Sequence, residues 1–129
     1  MTLSYQVGKQ GEKEALEWFL THRTVVEGTQ SRLLAQNYRC RWGEIDLILE
    51  EMNVERQILE LVFIEVRIRS KSKNRLIPAE SITQSKQRKL KRTAEHYLAH
   101  YRGHATTLRF DFLGWNGESW EHRFNIAIG

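Results

Sequence analysis

The sequence is nearly empty of the residues that staple or interrupt a chain: it has one cysteine, Cys40, and one proline, Pro78. A lone cysteine excludes an internal disulfide framework, and the expected setting is a reducing cytoplasm. No apolar run approaches the roughly 20 residues of a membrane-spanning helix, so no membrane partner is expected. Residues 1–6 lack the basic and apolar regions of a secretory signal. There is no Walker loop, no GxGxxG turn, no CxxC pair and no GxSxG elbow, and no nucleophilic triad can be assembled. Neither an internal repeat nor a second domain is evident, so residues 1–129 are expected to form one domain with a core of its own.

Acidic residues are also scarce over one long segment. Between Arg67 and Arg92 the chain carries Arg67, Arg69, Lys71, Lys73, Arg75, Lys86, Arg88, Lys89, Lys91 and Arg92, opposed only by Glu80. The net charge is +4, so the distribution says more than the total. A basic block that follows acidic residues suits a polyanion bridged through a metal. The plainer reading is a solvated, self-repelling loop and helix face.

Apolar spacing predicts a first helix over residues 8–22, with Ala15, Leu16, Phe19 and Leu20 as its stripe. Glu12 falls on that stripe or at its margin; it also reads as an ordinary first-turn acid favoured by the helix dipole. A turn at Gly28, a strand over 31–38, a polar turn over 50–56 and a long strand over 57–67 follow. The continuous apolar centre of that last strand predicts burial on both faces. A second helix is expected over 83–102, capped by Ser81 or Thr83, with Leu90, Ala94, Tyr97, Leu98 and Tyr101 inward. His96 and His100 have metal-pair spacing, but no third ligand accompanies them, and a polar helix face is the preferred reading. The end reads as a hairpin: strands over 108–115 and 119–128 around a two-residue Asn116-Gly117 turn, with Trp120, Phe124, Ile126 and Ile128 on one core face.

Two stretches put acids inside runs that otherwise read as buried strand. In Gly43-Glu44-Ile45-Asp46-Leu47-Ile48, alternation puts Glu44, Asp46 and Ile48 on one side. In Phe63-Ile64-Glu65-Val66-Arg67 it groups Phe63, Glu65 and Arg67. Ionised side chains are expensive to bury unpaired. If the strands are neighbours, Asp46 and Glu65 converge, and a divalent cation is the usual remedy for their repulsion. These hard oxygen donors suit Mg²⁺ or Mn²⁺, which polarises phosphate and generates hydroxide in phosphodiester hydrolysis. Arg67, two places after Glu65, would orient water or offset charge on phosphorus. The plainer reading is a structural ion pair between Glu65 and Arg67 or Arg69.

Taken together these blocks resemble an uncharacterised bacterial family, the YraN-like proteins, which is similar to the PD-(D/E)xK nucleases and archaeal Holliday-junction resolvases. The resemblance runs from Gly8-Lys9-Gln10-Gly11-Glu12 through Asn37-Tyr38-Arg39, Gly43–Ile48 and Phe63–Arg67 to Lys86, Leu90 and Arg109-Phe110-Asp111. It implies an α/β fold with a restriction-endonuclease-like core, a mixed central β-sheet flanked by helices. It implies Asp46 and Glu65 as metal ligands, Glu12 as an additional or outer ligand, Arg67 at the position of the catalytic lysine, and Lys86 reaching the scissile phosphate. Arg69, Lys71, Lys73, Lys86, Arg88 and Lys89 would bind nucleic acid, with DNA as the expected partner, RNA not excluded, and a two-fold dimer suggested by the resolvases. The activity implied is a Mg²⁺- or Mn²⁺-dependent endonuclease acting on branched or structured DNA. Where the pattern expects lysine this chain has Arg67, which stays protonated and cannot act as a general base. The rival functions are a catalytically impaired nucleic-acid-binding module of the same fold and a protein-interaction domain.

Overall fold

A computed structural model describes residues 3–23, 28–68 and 83–126, the first of these by backbone alone up to residue 9. The described elements are α1 (Leu3–Thr21), β1 (Thr29–Cys40), β2 (Gly43–Asn53), β3 (Ile58–Ile68), α2 (Gln84–Leu98), β4 (Thr107–Trp115) and β5 (Trp120–Arg123). The five strands form one sheet in chain order. Pairs β1/β2, β2/β3 and β4/β5 are antiparallel, while β3/β4 is parallel. A parallel neighbour requires a crossover, and α2 lies in it. Over the described residues the result is an α/β fold of two helices and a five-stranded mixed sheet.

Each face of the sheet has its own core. On one, Ala15 and Phe19 of α1 pack with Leu47, Leu49, Val62, Ile64 and Leu113. On the other, Leu90 and Ala94 of α2 pack with Ile45, Ile48, Leu61, Phe63 and Phe112. Leu61 through Ile64 are each at most 1% exposed, as a strand covered on both sides requires. Full burial of such side chains stabilises by about 1.5–3 kcal/mol each.

Alternation in β2 slips once. Ile45 and Ile48 both face α2, whereas Leu47 and Leu49 face α1. The register against β1 shifts between Leu33 and Ala35; it is unchanged from Gln36↔Leu47 to Tyr38↔Ile45, where Asn37 has φ 52°. Strict alternation of Glu44, Asp46 and Ile48 on one side therefore does not hold; the interruption falls at Asp46.

Other expectations are corrected. The expected polar turn over 50–56 begins later, at Val54, because Glu50 and Glu51 are buried β2 residues with partners. Glu50 accepts from Arg32 at 2.6 Å and from the Tyr101 hydroxyl. Glu51 takes two hydrogen bonds from Arg23, at 2.8 and 2.7 Å. Helix α2 ends at Leu98 rather than residue 102, as the His100 and Tyr101 N–H groups tighten onto Tyr97 and Leu98 carbonyls. Thr83 is the N-cap, its Oγ accepting the Lys86 N–H at 3.2 Å.

The terminal hairpin differs most. Trp115 pairs with Trp120, so the loop is Asn116 to Ser119, not Asn116-Gly117 alone. The Asn116 side-chain oxygen accepts the N–H groups of Glu118 and Ser119 and closes this longer turn. β5 stops at Arg123, and Phe124 is 46% exposed. Asn125 has φ 50°, its N–H donates to Asp111, and Ile126 crosses to the α2 side. Ile128 lies outside the described residues.

Candidate functional site

Hydrogen-bonded pairing of β2 with β3 ends at Leu47↔Ile64, while β3 continues beside β4 to Ile68↔Trp115. The two strands part at that point. Across the gap the Asp46 carboxylate replaces a main-chain acceptor and takes the Val66 N–H at 2.8 Å. Glu65 stands within hydrogen-bonding reach of Asp46. Its Oε2 is 3.1 Å from the Arg67 Nε and 3.1 Å from the Lys86 Nζ. The Arg67 Nε is buried and has no aligned hydrogen bond.

Helix α2 passes over these acids beside the glycine that opens β2. Gly43 has φ 153°, and a Cβ there would stand 3.4 Å from the Thr93 Oγ and 3.8 Å from the Lys89 Cβ. Thr93 is fully buried and donates to the Lys89 carbonyl at 2.7 Å. This crossing sets Lys86 and Lys89 on the wall of a cleft of about 340 Å³, whose other lining residues are Gly43, Glu44, Asp46, Glu65, Val66, Arg67 and Leu90.

Electrostatically the acids are strained. Burial, then the negative charge of Glu65, raises the Asp46 pKa to about 8; the Val66 N–H opposes this, and Glu12 and Glu44 add to it. Burial also raises Glu65, against the pull of Arg67 and of its hydrogen bond with Asp46. Two acids so coupled release their protons as a pair.

The structure thus brings Asp46, Glu65, Arg67, Lys86 and Lys89 around one cleft. Glu44 lines it too and pairs with Arg39 at 3.2 Å. Glu12 is half-buried on α1, and its charge acts on Asp46, but it is not on the cleft wall. Arg88 is exposed and lines an adjoining groove. Arg69, Lys71 and Lys73 lie outside the described residues. His96 is hydrogen-bonded to the Tyr38 hydroxyl. Among the described residues no three His, Cys, Asp or Glu side chains converge to hold a metal ion. Two carboxylates are nevertheless a donor set that suits Mg²⁺, which keeps several waters and usually takes one or two carboxylates together with substrate phosphate.

Sequence reasoning missed the Val66 N–H and the passage of α2 beside Gly43. A main-chain donor leaves no mark in the sequence. The glycine was visible as backbone freedom where the strand begins, which its φ of 153° uses; its place beside α2 was not. Among the described residues no helix is long and apolar enough to cross a membrane.

A family model described as "Uncharacterised protein family UPF0102" matches residues 11–114, which contain every element of the cleft. A UPF0102 protein of Nitrosospira multiformis is 44% identical over 98 residues, covering 76% of this chain and 70% of its own. One of Symbiobacterium thermophilum is 39% identical over 111 residues, covering 86% and 82%. One of Alkalilimnicola ehrlichii is 40% identical over 114 residues, covering 88% and 79%. The chain belongs to the UPF0102 family, the YraN-like proteins.

Proposed function

We propose that this chain is a metal-dependent endonuclease with a restriction-endonuclease-like core, hydrolysing phosphodiester bonds in branched or otherwise structured DNA. One observation carries the reading: Asp46 and Glu65 meet where β2 and β3 part, with Arg67, Lys86 and Lys89 at the same cleft. A purely structural ion pair does not require a second, buried acid beside it. The mixed sheet with a helix on each face supports the fold assignment.

Asp46 and Glu65 would hold Mg²⁺ or Mn²⁺, which supplies Lewis-acid polarisation of the phosphate and hydroxide near neutral pH. Val66 fixes the Asp46 carboxylate through its N–H, so this ligand is oriented before the cation arrives. Lys86 and Lys89 bind the phosphate as point charges. Arg67 stabilises negative charge developing on phosphorus, and its permanent protonation bars it from taking a proton from water. Glu12 on α1 strengthens the negative field at Asp46 that attracts a cation. A cytoplasmic setting and a two-fold dimer go with this reading.

A second reading has its own observation. Glu65 already faces two cations at 3.1 Å, as it would in a DNA-binding module that has lost cleavage. Purified protein with labelled branched and linear DNA, in Mg²⁺ or Mn²⁺, separates the two. Cutting that disappears in Asp46→Ala supports the enzyme; tight binding without cutting supports the module. DNA affinity insensitive to salt would favour a protein-interaction domain over both, because phosphate contacts release counterions.

A further inference from the structure

A second basic groove runs beside the acidic cleft, and Trp42 stands in it. The groove measures about 580 Å³ and is lined by Trp42, Arg88, Lys91, Arg92, Glu95 and His96. Trp42 is half-buried in the turn between β1 and β2. The guanidinium carbons of Arg41 and Arg92 each lie 4.5 Å from its ring centroid. Arg41 belongs to the turn and Arg92 to α2, so two elements bring their cations to one indole. Both arginines are exposed, and among the described residues neither pairs with a carboxylate.

The groove and the cleft adjoin. Trp42 lines one and Gly43 the other; Arg88 lines one and Lys89 the other. Neighbouring residues of the β1–β2 turn and of α2 thus line both, within reach of one DNA strand.

We propose that this groove is a subsite for an unpaired DNA nucleotide next to the scissile phosphate, its base stacked on Trp42 and its flanking phosphates held by Arg88, Lys91 and Arg92. The proposal rests on the nuclease reading of the adjoining cleft. An exposed cation over an aromatic ring is weakly held, whereas any base offers a π-face that stacks on indole. A base can therefore take the place of one guanidinium, and the released arginine can form a charge-assisted, bidentate pair with phosphate. Bases inside a duplex are stacked on one another and present no free face, so the subsite selects unpaired positions. Glu95 is the acid among the lining residues and repels phosphate, which confines the backbone path to the side of Arg88, Lys91 and Arg92. The plainer role is a clamp that ties the β1–β2 turn to α2.

The test uses the full chain in EDTA, so that binding is read without cleavage. Affinities for a labelled single-stranded DNA and for the blunt duplex of the same sequence are measured by fluorescence anisotropy. Trp42→Ala should weaken single-strand binding by about 10-fold and leave duplex binding unchanged; Trp42→Phe should lose less. Single-strand binding should quench tryptophan emission in the wild type, and that quench should shrink sharply in Trp42→Phe. Arg88→Glu with Lys91→Glu should lower the slope of log affinity against log salt by roughly 2, about 1 per phosphate contact. Wild-type affinity and undiminished quenching in the Trp42 variants would overturn the proposal, as would a wild-type chain that binds no single strand in EDTA. The nuclease reading is judged apart, by Mg²⁺-dependent cutting that Asp46→Ala abolishes.

Discussion

The Asp46 carboxylate accepts the Val66 N–H at 2.8 Å, and this bond spans the point where β2 and β3 separate. Without it, the Val66 donor, just beyond the last β2/β3 pair at Leu47↔Ile64, would face a gap. With it, an acid is held beside Glu65 with no cation of its own to stabilise its ionised form. Lys86 and Arg67 both turn to Glu65 instead. The pair is therefore asymmetric: one carboxylate is neutralised by neighbours, the other by a proton.

That asymmetry sets a pH dependence. Burial and the Glu65 charge raise the Asp46 pKa from 3.8 to about 8, so the folded state retains a proton that the unfolded chain releases. The stability this confers is fully present below about pH 4 and is lost as pH rises through 8. Asp46→Asn keeps an acceptor for the Val66 N–H and removes the charge. It should match the wild type at pH 4 and be more stable at pH 8, where every tenfold difference in proton affinity between the folded and unfolded chain corresponds to about 1.4 kcal/mol. Thermal unfolding without divalent cations at the two pH values measures this; equal melting temperatures at pH 8 would show that Asp46 carries no such strain.

A divalent cation should relieve the same strain. Mg²⁺ at 100 times its dissociation constant stabilises a chain that binds it only when folded by about 2.7 kcal/mol. The melting temperature of the wild type should therefore rise with Mg²⁺ at pH 8, while that of Asp46→Asn should rise much less. A wild type indifferent to Mg²⁺ and Mn²⁺ would count against Asp46 and Glu65 as a metal site, whatever its activity.

Arg67 is the departure from the expected lysine, and its Nε lacks an aligned hydrogen bond. Arg67→Lys restores a group that can deprotonate and keeps a cation on Glu65, so cleavage should rise or hold level. Arg67→Ala removes the stabilisation of charge on phosphorus and should lower the cleavage rate by about 10²–10³-fold. Rates on labelled DNA in Mg²⁺ decide; a clear loss in Arg67→Lys would give the guanidinium a duty of its own.

What could be read in the sequence follows from what is local. The Asp46, Glu65 and Arg67 pattern is visible because alternation within a short strand is local, and Thr83 is visible as a cap for the same reason. Glu50 and Glu51 read as turn residues because their partners Arg23, Arg32, Tyr101 and Arg109 are remote in the chain. Asn116-Gly117 carries a strong two-residue turn signal, yet the Asn116 side chain spends its oxygen on Glu118 and Ser119. The slip at Asp46 shows only in the opposite cores that Ile45 and Leu47 join, which no count along β2 alone can reveal.

The Arg109-Phe110-Asp111 motif has a different physical meaning from the cleft acids. Arg109 makes two hydrogen bonds to Asp111, at 2.8 and 2.9 Å, and its Nη1 also donates to Glu51 at 3.0 Å and Glu60 at 2.9 Å. Burial works to raise the Asp111 pKa, but hydrogen bonds from His122 and Arg109 outweigh it and hold the group below its ordinary value. Glu51 is lowered in the same way, by Arg23 and Arg109 against its own burial. Groups so lowered contribute stability that is present above their unfolded pKa values, near pH 4, and is lost as pH falls through the folded ones. Arg109→Ala leaves three carboxylates short of a partner and should cost about 3–5 kcal/mol, since breaking a buried pair strands charge. It should also reduce the loss of stability on acidification, because the carboxylates no longer gain from being ionised. Glu60 and Glu65 are five residues apart on β3, roughly 16 Å, so the network sits well away from the cleft. Urea unfolding at pH 7 and at pH 4, with cleavage measured where the variant is still folded, checks both halves. A variant as stable as the wild type would contradict the stabilising role of this network, and one that folds fully and no longer cuts would contradict its separation from the cleft.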